Sequence, residues 1–108
     1  MSVFDFFRLP DINEGMKAYE ADKGALLIDV RSEDEYAMGH IPGSRSVPLD
    51  RLDKAGEMPE NKDIPIYVYC RSGRRSRAAA QLLGAMGYRH VHNLGGIAAW
   101  RGKVEHLR

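Results

Sequence analysis

The single cysteine of the chain, Cys70, is followed by Arg71, Ser72, Gly73, Arg74, Arg75, Ser76 and Arg77, and this run concentrates the chain's reactive side chains. A glycine three residues after a cysteine permits a tight or left-handed turn, in which successive backbone N–H groups converge on one anion or on a sulfur anion. A helix N-terminus and neighbouring arginines both favour thiolate over thiol, bringing a cysteine below its reference pKa of about 8.5. Four arginines in the first turn of a helix also stand at the end where the macrodipole already places positive charge. Acidic side chains from elsewhere in the fold or a bound anion must offset them, and their placement around the cysteine favours an anion site. A lone cysteine is more often a small buried hydrophobe; the loop after Cys70 argues for a nucleophile.

Such a loop needs a strand to deliver the cysteine and a helix to receive the turn. The run 64–70, IPIYVYC, is apolar on both faces and reads as a buried strand with Cys70 at its carboxyl end, where open α/β sheets bind ligands. Ala79, Leu82, Leu83 and Met86 then recur at helical spacing up to Gly87. Upstream, Asp11 with Glu14 three residues on predicts a capping box opening a helix over about 11–22, and 25–30, ALLIDV, reads as a central parallel strand. Ser32 and Glu35 repeat the capping spacing for a short helix ending at Gly39, with turn residues Pro42 and Gly43 after it. A brief strand over 46–49, a weak helical turn near 51–55, a third strand over 90–94 and a closing helix over 95–103 anchored by Trp100 complete the pattern. Strand and helix alternate throughout, which predicts α/β architecture with a mainly parallel central sheet flanked by helices.

The chain's 108 residues, 44% of them hydrophobic, 29% charged and 8% aromatic, bound this to one compact domain over 1–108, with no repeat, linker or low-complexity tract. One cysteine cannot close an intramolecular disulfide, so a reduced, cytoplasmic setting is expected. Asp5, Arg8 and Asp11 interrupt every apolar run near the N-terminus, so no export or membrane segment is expected there. The net charge of +1 argues against a protein that coats nucleic acid or anionic membrane. That total conceals two opposed halves. Residues 1–63 hold eight basic and fourteen acidic side chains, whereas 64–108 hold eight basic and one acidic, with no acid from Ile64 through Val104. Cys70 lies in the positive half.

Four blocks, LIDVR (27–31), EYAMGHIPGS (35–44), YCRSGRRS (69–76) and GYRHVHNLGGIAAW (87–100), stand in an order and spacing that resembles a single-domain rhodanese, a thiosulfate sulfurtransferase-like module. The resemblance covers most of the chain and implies a small doubly wound α/β domain. It implies further that Cys70 accepts a sulfane sulfur as a persulfide and that the loop 71–75 (Arg71, Ser72, Gly73, Arg74 and Arg75) cradles the donor, with Arg71 and Arg75 near its anionic part. Asp29, Arg31 and Ser76 are supporting residues by the same match, and Gly39, His40, Pro42, Gly43, Gly95, Gly96 and Trp100 match structural positions. The implied partners are a small anionic sulfur donor and a thiol acceptor, either a small molecule or a thioredoxin-like protein, with no cofactor.

A cysteine phosphatase or arsenate reductase is the nearest alternative, but its loop places an arginine six residues after the cysteine, where this chain has Ser76; Arg75 falls one residue early. Sulfur transfer needs no acid or base in the loop, because sulfite leaves without a proton. A non-catalytic binding or regulatory module on the same fold is the second alternative. His40, His90, His92 and His106 lack a second cysteine or carboxylates at ligand spacing, so no metal site is expected. NLGGIAAW lacks dinucleotide-binding glycine spacing and no Walker loop occurs. The arginines surround a cysteine rather than interleave with aromatics, against a nucleic-acid surface.

Overall fold

The computed structural model describes residues 10–107; the reading built on Asp5 and Arg8 falls outside them. In chain order the elements are α1 (Ile12–Ala21), β1 (Leu26–Asp29), α2 (Glu33–Met38), β2 (Arg45–Ser46), a 3₁₀ turn at Leu49–Arg51, β3 (Ile66–Cys70), α3 (Arg74–Ala85), β4 (Val91–Gly96) and a second 3₁₀ turn at Ile97–Ala99. The four strands form one sheet in the order β2-β1-β3-β4, and every pair is parallel. The expected α/β fold with helices on a parallel central sheet is thus present.

The two-residue period of a strand decides which side of the sheet each residue serves. Ile66, Val68 and Cys70 of β3 join Ile28, Val47, Leu52, Ala79, Leu83 and Tyr88 in one apolar cluster, against α3. Tyr67 and Tyr69 point the other way and join Ile12, Met16, Leu27, Ile41 and Leu94, against α1. All five residues of β3 are buried, as a strand covered on both faces requires. That register delivers the Cys70 side chain to the face from which α3 departs.

Asp29 at the end of β1 is fully buried and carries a buried partner. Arg31 Nη2 donates to Asp29 Oδ2 at 2.6 Å, Arg31 Nε donates to Oδ1 at 3.0 Å, and the Arg31 backbone amide donates to Oδ1 at 2.9 Å. Arg31 Nη2 also donates to the Gly39 carbonyl at 2.5 Å, tying the end of α2 to the sheet. Arg31 thereby links the end of β1 to the end of α2.

Several local expectations change. The segment 95–103 is not a helix: β4 runs on through Gly95 and Gly96, one 3₁₀ turn follows, and Trp100 is extended (φ −69°, ψ 132°). Gly95 takes φ +98°, and Ala98 N donates to the Arg71 carbonyl at 3.1 Å, so the backbone groups a helix would use are held by the cysteine loop. The capping box at Ser32 and Glu35 is present in full. At α1, in contrast, Asp11 caps the Asn13 amide while Glu14 pairs with Lys17. The strand expected over 46–49 shrinks to Arg45–Ser46, because Pro48 has no amide to donate. The turn near 51–55 begins earlier, at Leu49.

Removing one partner of the buried pair leaves a buried charge without a counterion. Asp29→Ala is expected to cost about 3–5 kcal/mol in urea unfolding, and Lys17→Ala, which breaks an exposed pair, under about 0.5 kcal/mol.

Candidate functional site

Cys70 ends β3 and its side chain is fully buried. The chain turns immediately afterwards through Gly73, whose φ of +100° a residue with a Cβ rarely adopts. This turn points the Gly73 amide back at the cysteine, and it donates to Cys70 Sγ at 3.0 Å. The Ser76 hydroxyl, on the first turn of α3 and also fully buried, lies 3.4 Å from the same sulfur. Burial pushes the Cys70 thiol up, but the Ser76 hydroxyl and the backbone amides of Ser76, Gly73 and Ser72 outweigh it and hold the thiol below its ordinary value. The donors around Cys70 thus favour its thiolate form relative to a free thiol.

The arginines divide. Arg75 Nη1 and Nη2 donate to Glu35 Oε1 and Oε2 at 2.6 and 3.0 Å, a bidentate pair joining α3 to α2. Glu35 is the same carboxylate that closes the capping box with Ser32. Arg75's hydrogen bonds pull its carboxyl down to about 2, against a smaller opposing effect of burial. Arg71, Arg74 and Arg77 are exposed, and none forms an ion pair with another described residue. Of the two offsets open to this cluster, acidic side chains serve Arg75. Asp29, Arg31, Glu35, Arg75 and the Cys70 sulfur form a run of alternating charge: Glu35 acts on Arg31, and both Asp29 and Cys70 act on Arg75.

The loop rests on the end of β4. A Cβ at Gly96 would stand 2.2 Å from the Arg71 carbonyl oxygen and 2.7 Å from Ser72 Cα, both backbone atoms. A Cβ at Gly73 would meet Gly95 Cα at 3.4 Å. Close approach of the loop backbone explains Gly96, whereas Gly95 is required by its φ of +98° and by Pro10, whose carbonyl oxygen a Cβ there would approach to 3.0 Å. The pairing of β3 with β4 shifts register between Val68 and Tyr69, so that Tyr69 faces Gly95 and Cys70 faces Gly96. Asn93 Oδ1 accepts the Gly95 amide at 2.9 Å and fixes this irregular stretch.

The structure thus brings Cys70, Ser72, Gly73, Arg75 and Ser76 together and leaves Arg71 and Arg74 on the exterior of the loop. Asp29 and Arg31 stand behind it. Two contributors went unassigned in the sequence: Glu35 as the partner of Arg75, and Gly96 as the surface on which the loop sits. The capping spacing located Glu35 but nothing local connects it to a residue forty positions away. Among the histidines, His40 Nδ1 lies 2.7 Å from the Tyr36 carbonyl and the ring stacks on Tyr36, while His92 stacks on Tyr67.

Comparison with known proteins gives a consistent picture. Residues 12–103 match the family described as Rhodanese-like domain. The chain is 39% identical over 72 residues to the Escherichia coli thiosulfate sulfurtransferase PspE, covering 65% of this chain and 68% of that protein. With the Bacillus subtilis protein YrkF it is 40% identical over 88 residues, which is 80% of this chain but 46% of YrkF, so the chain spans about half that relative's length. A solved structure described as rhodanese with anions from E. coli superposes with a TM-score of 0.69 at 31% identity, covering 76% of this chain and 98% of the other.

Gly96→Ala forces the Arg71–Ser72 backbone to move and should cost about 1–3 kcal/mol while reducing Cys70 alkylation by iodoacetamide. Gly84→Ala, which meets nothing within 4 Å in α3, should instead stabilise by about 0.5–1 kcal/mol. The depressed Glu35 carboxyl adds stability that is complete above its ordinary value of 4.5 and disappears as pH falls toward about 2. Glu35→Gln should remove that part of the acid dependence of Tm between pH 5 and 2, leaving a flatter profile.

Proposed function

This chain belongs to the rhodanese-like domain family, and on that premise we propose that it is a sulfurtransferase that carries a sulfane sulfur on Cys70. The observation that carries the reading is the set of donors on Cys70 Sγ, the Gly73 amide at 3.0 Å and the Ser76 hydroxyl at 3.4 Å, at the end of a buried strand. Sulfurtransferase relatives support the same class of reaction.

In the proposed cycle the Cys70 thiolate attacks the outer sulfur of thiosulfate, or the equivalent sulfur of a persulfide donor. The new bond is S–S at Cys70, the donor's own bond to that sulfur breaks, and sulfite or a thiolate leaves with the electron pair. The Cys70 persulfide then carries its negative charge on the outer sulfur. Cyanide, a small thiol or a thioredoxin-like protein thiol attacks that outer sulfur and regenerates the Cys70 thiolate. No proton is required for the departure of sulfite, so the absence of an acid in the 71–76 loop is no obstacle. Arg71, Ser72, Gly73 and Arg74 receive the anionic donor, with Arg71 and Arg74 in solvent where they attract it electrostatically.

Arg75 takes a different role from the donor contact expected of it. With both terminal nitrogens on Glu35, it fixes α3 against α2 and lends its charge to the site from a distance. That pairing also weighs against the phosphatase reading, in which a loop arginine must be free to grip phosphate. Asp29, Arg31 and Ser76 hold the surrounding backbone and the sulfur. The single cysteine, which cannot close an intramolecular disulfide, favours a reducing, cytoplasmic setting. Among the described residues no helix is long and apolar enough to cross a membrane.

Incubation with thiosulfate should add one sulfur atom to the intact protein by mass spectrometry, and cyanide should remove it as thiocyanate. Cys70→Ser should abolish both. No adduct on a folded wild-type protein would sink the proposal in favour of a binding module, and Cys70-dependent hydrolysis of an aryl phosphate would favour the phosphatase.

A further inference from the structure

Ser76 has one hydroxyl proton and two acceptors competing for it. Its Oγ lies 3.4 Å from Cys70 Sγ and 3.4 Å from the Gly95 carbonyl oxygen, and the residue is fully buried, so no water shell offers a third choice. A hydroxyl donates once. Which acceptor receives it depends on where the negative charge stands in the cycle. When Cys70 is a thiolate, the charge-assisted bond to Sγ is the stronger. When Cys70 is a persulfide, the charge has moved to the outer sulfur and the inner Sγ is a weak neutral acceptor. The carbonyl of Gly95 then has the better claim.

We propose that the Ser76 hydroxyl turns between Cys70 Sγ and the Gly95 carbonyl as sulfur arrives and leaves, acting as a catalytic donor that selectively stabilises Cys70 as the leaving group when the persulfide is discharged. This rests on the reading of Cys70 as a persulfide carrier. The bond changes are those of the cycle itself. In loading, Sγ bonds to the incoming sulfur and the donor's leaving group takes the electron pair; in discharge, the Sγ–S bond breaks, its pair returns to Sγ, and the acceptor takes the outer sulfur. The hydroxyl proton stays on Ser76 Oγ throughout and only its direction changes.

The assignment makes the two half-reactions respond differently to one substitution. Loss of the donor makes Cys70 a more basic thiolate, hence a slightly better nucleophile once ionised and a worse leaving group. In Ser76→Ala the midpoint for Cys70 alkylation by iodoacetamide should rise by about one pH unit. At a pH above that midpoint, sulfur loading from thiosulfate should change by less than about threefold, while discharge of the isolated persulfide to cyanide should slow by up to about tenfold. Ser76→Thr, which restores a hydroxyl, should recover the discharge rate. A merely structural role for Ser76 would depress both half-reactions together and leave the midpoint in place, which would overturn the proposal.

A second measurement needs no substitution and remains decisive if Ser76→Ala does not fold. In wild-type protein carrying glycine labelled with ¹³C at its carbonyl, the infrared difference between persulfide and reduced forms should show a glycine carbonyl band moving to lower frequency on loading. No movement would overturn the switch. These outcomes are separable from failure of the sulfur-carrier reading itself, in which wild-type protein would take up no sulfur at all.

Discussion

Donation of the Gly73 amide to Cys70 Sγ at 3.0 Å is the contact on which the rest of this fold converges. A sulfur anion buried at the end of a strand is costly unless donors already point at it, and backbone amides can do so only if the chain reverses direction within three residues. That reversal demands the left-handed Gly73, and the reversed loop in turn lies directly on the backbone of β4, where Gly96 has no side chain to hold it off. The register shift between Val68 and Tyr69 then sets Cys70 opposite Gly96. Strand, loop, register shift and Gly96 therefore serve a single electrostatic requirement.

The charges are arranged around the same requirement at longer range. Positive charge is concentrated after residue 63, yet Arg75, on which the Cys70 charge acts, is bound by a carboxylate from the other half of the chain. Paired with Glu35, its charge is largely offset where it stands. Asp29 and Arg31 extend the alternation inward and connect it to the Gly39 carbonyl, so the electrostatic support of the sulfur is continuous with the packing that positions α2. The exposed Arg71, Arg74 and Arg77 contribute a positive potential through solvent, where screening limits its range.

Much of this was legible in the residues because it depends on local rules. Continuous apolar runs identified β1 and β3, helical spacing identified α3, and Ser32 with Glu35 announced the start of α2. The same capping spacing misread α1, since Asp11 had a nearer donor in the Asn13 amide. The segment 95–103 reads as a closing helix anchored by Trp100. There, contact with the Arg71 carbonyl overrides local preference, and no pattern within the segment announces it. The Arg75–Glu35 pair was out of reach for the same reason: it is a consequence of topology, which sets α2 beside α3 across the ends of neighbouring strands.

The position six residues after the cysteine shows how far one site can redirect a shared loop. In the phosphatase pattern that position carries an arginine turned toward phosphate. Here it is Ser76, fully buried, with its oxygen shared between Cys70 Sγ and the Gly95 carbonyl. The hydroxyl stands 3.4 Å from each of those two acceptors. A small neutral donor at that point stabilises charge on the cysteine sulfur itself; an arginine would stabilise charge on oxygens beyond it. Sulfur transfer generates its charge at the cysteine whenever the persulfide is discharged, whereas phosphoryl transfer spreads it over the transferred group. The chemistry that a cysteine loop on this sheet supports thus depends on whether its last donor reaches the nucleophile or reaches past it.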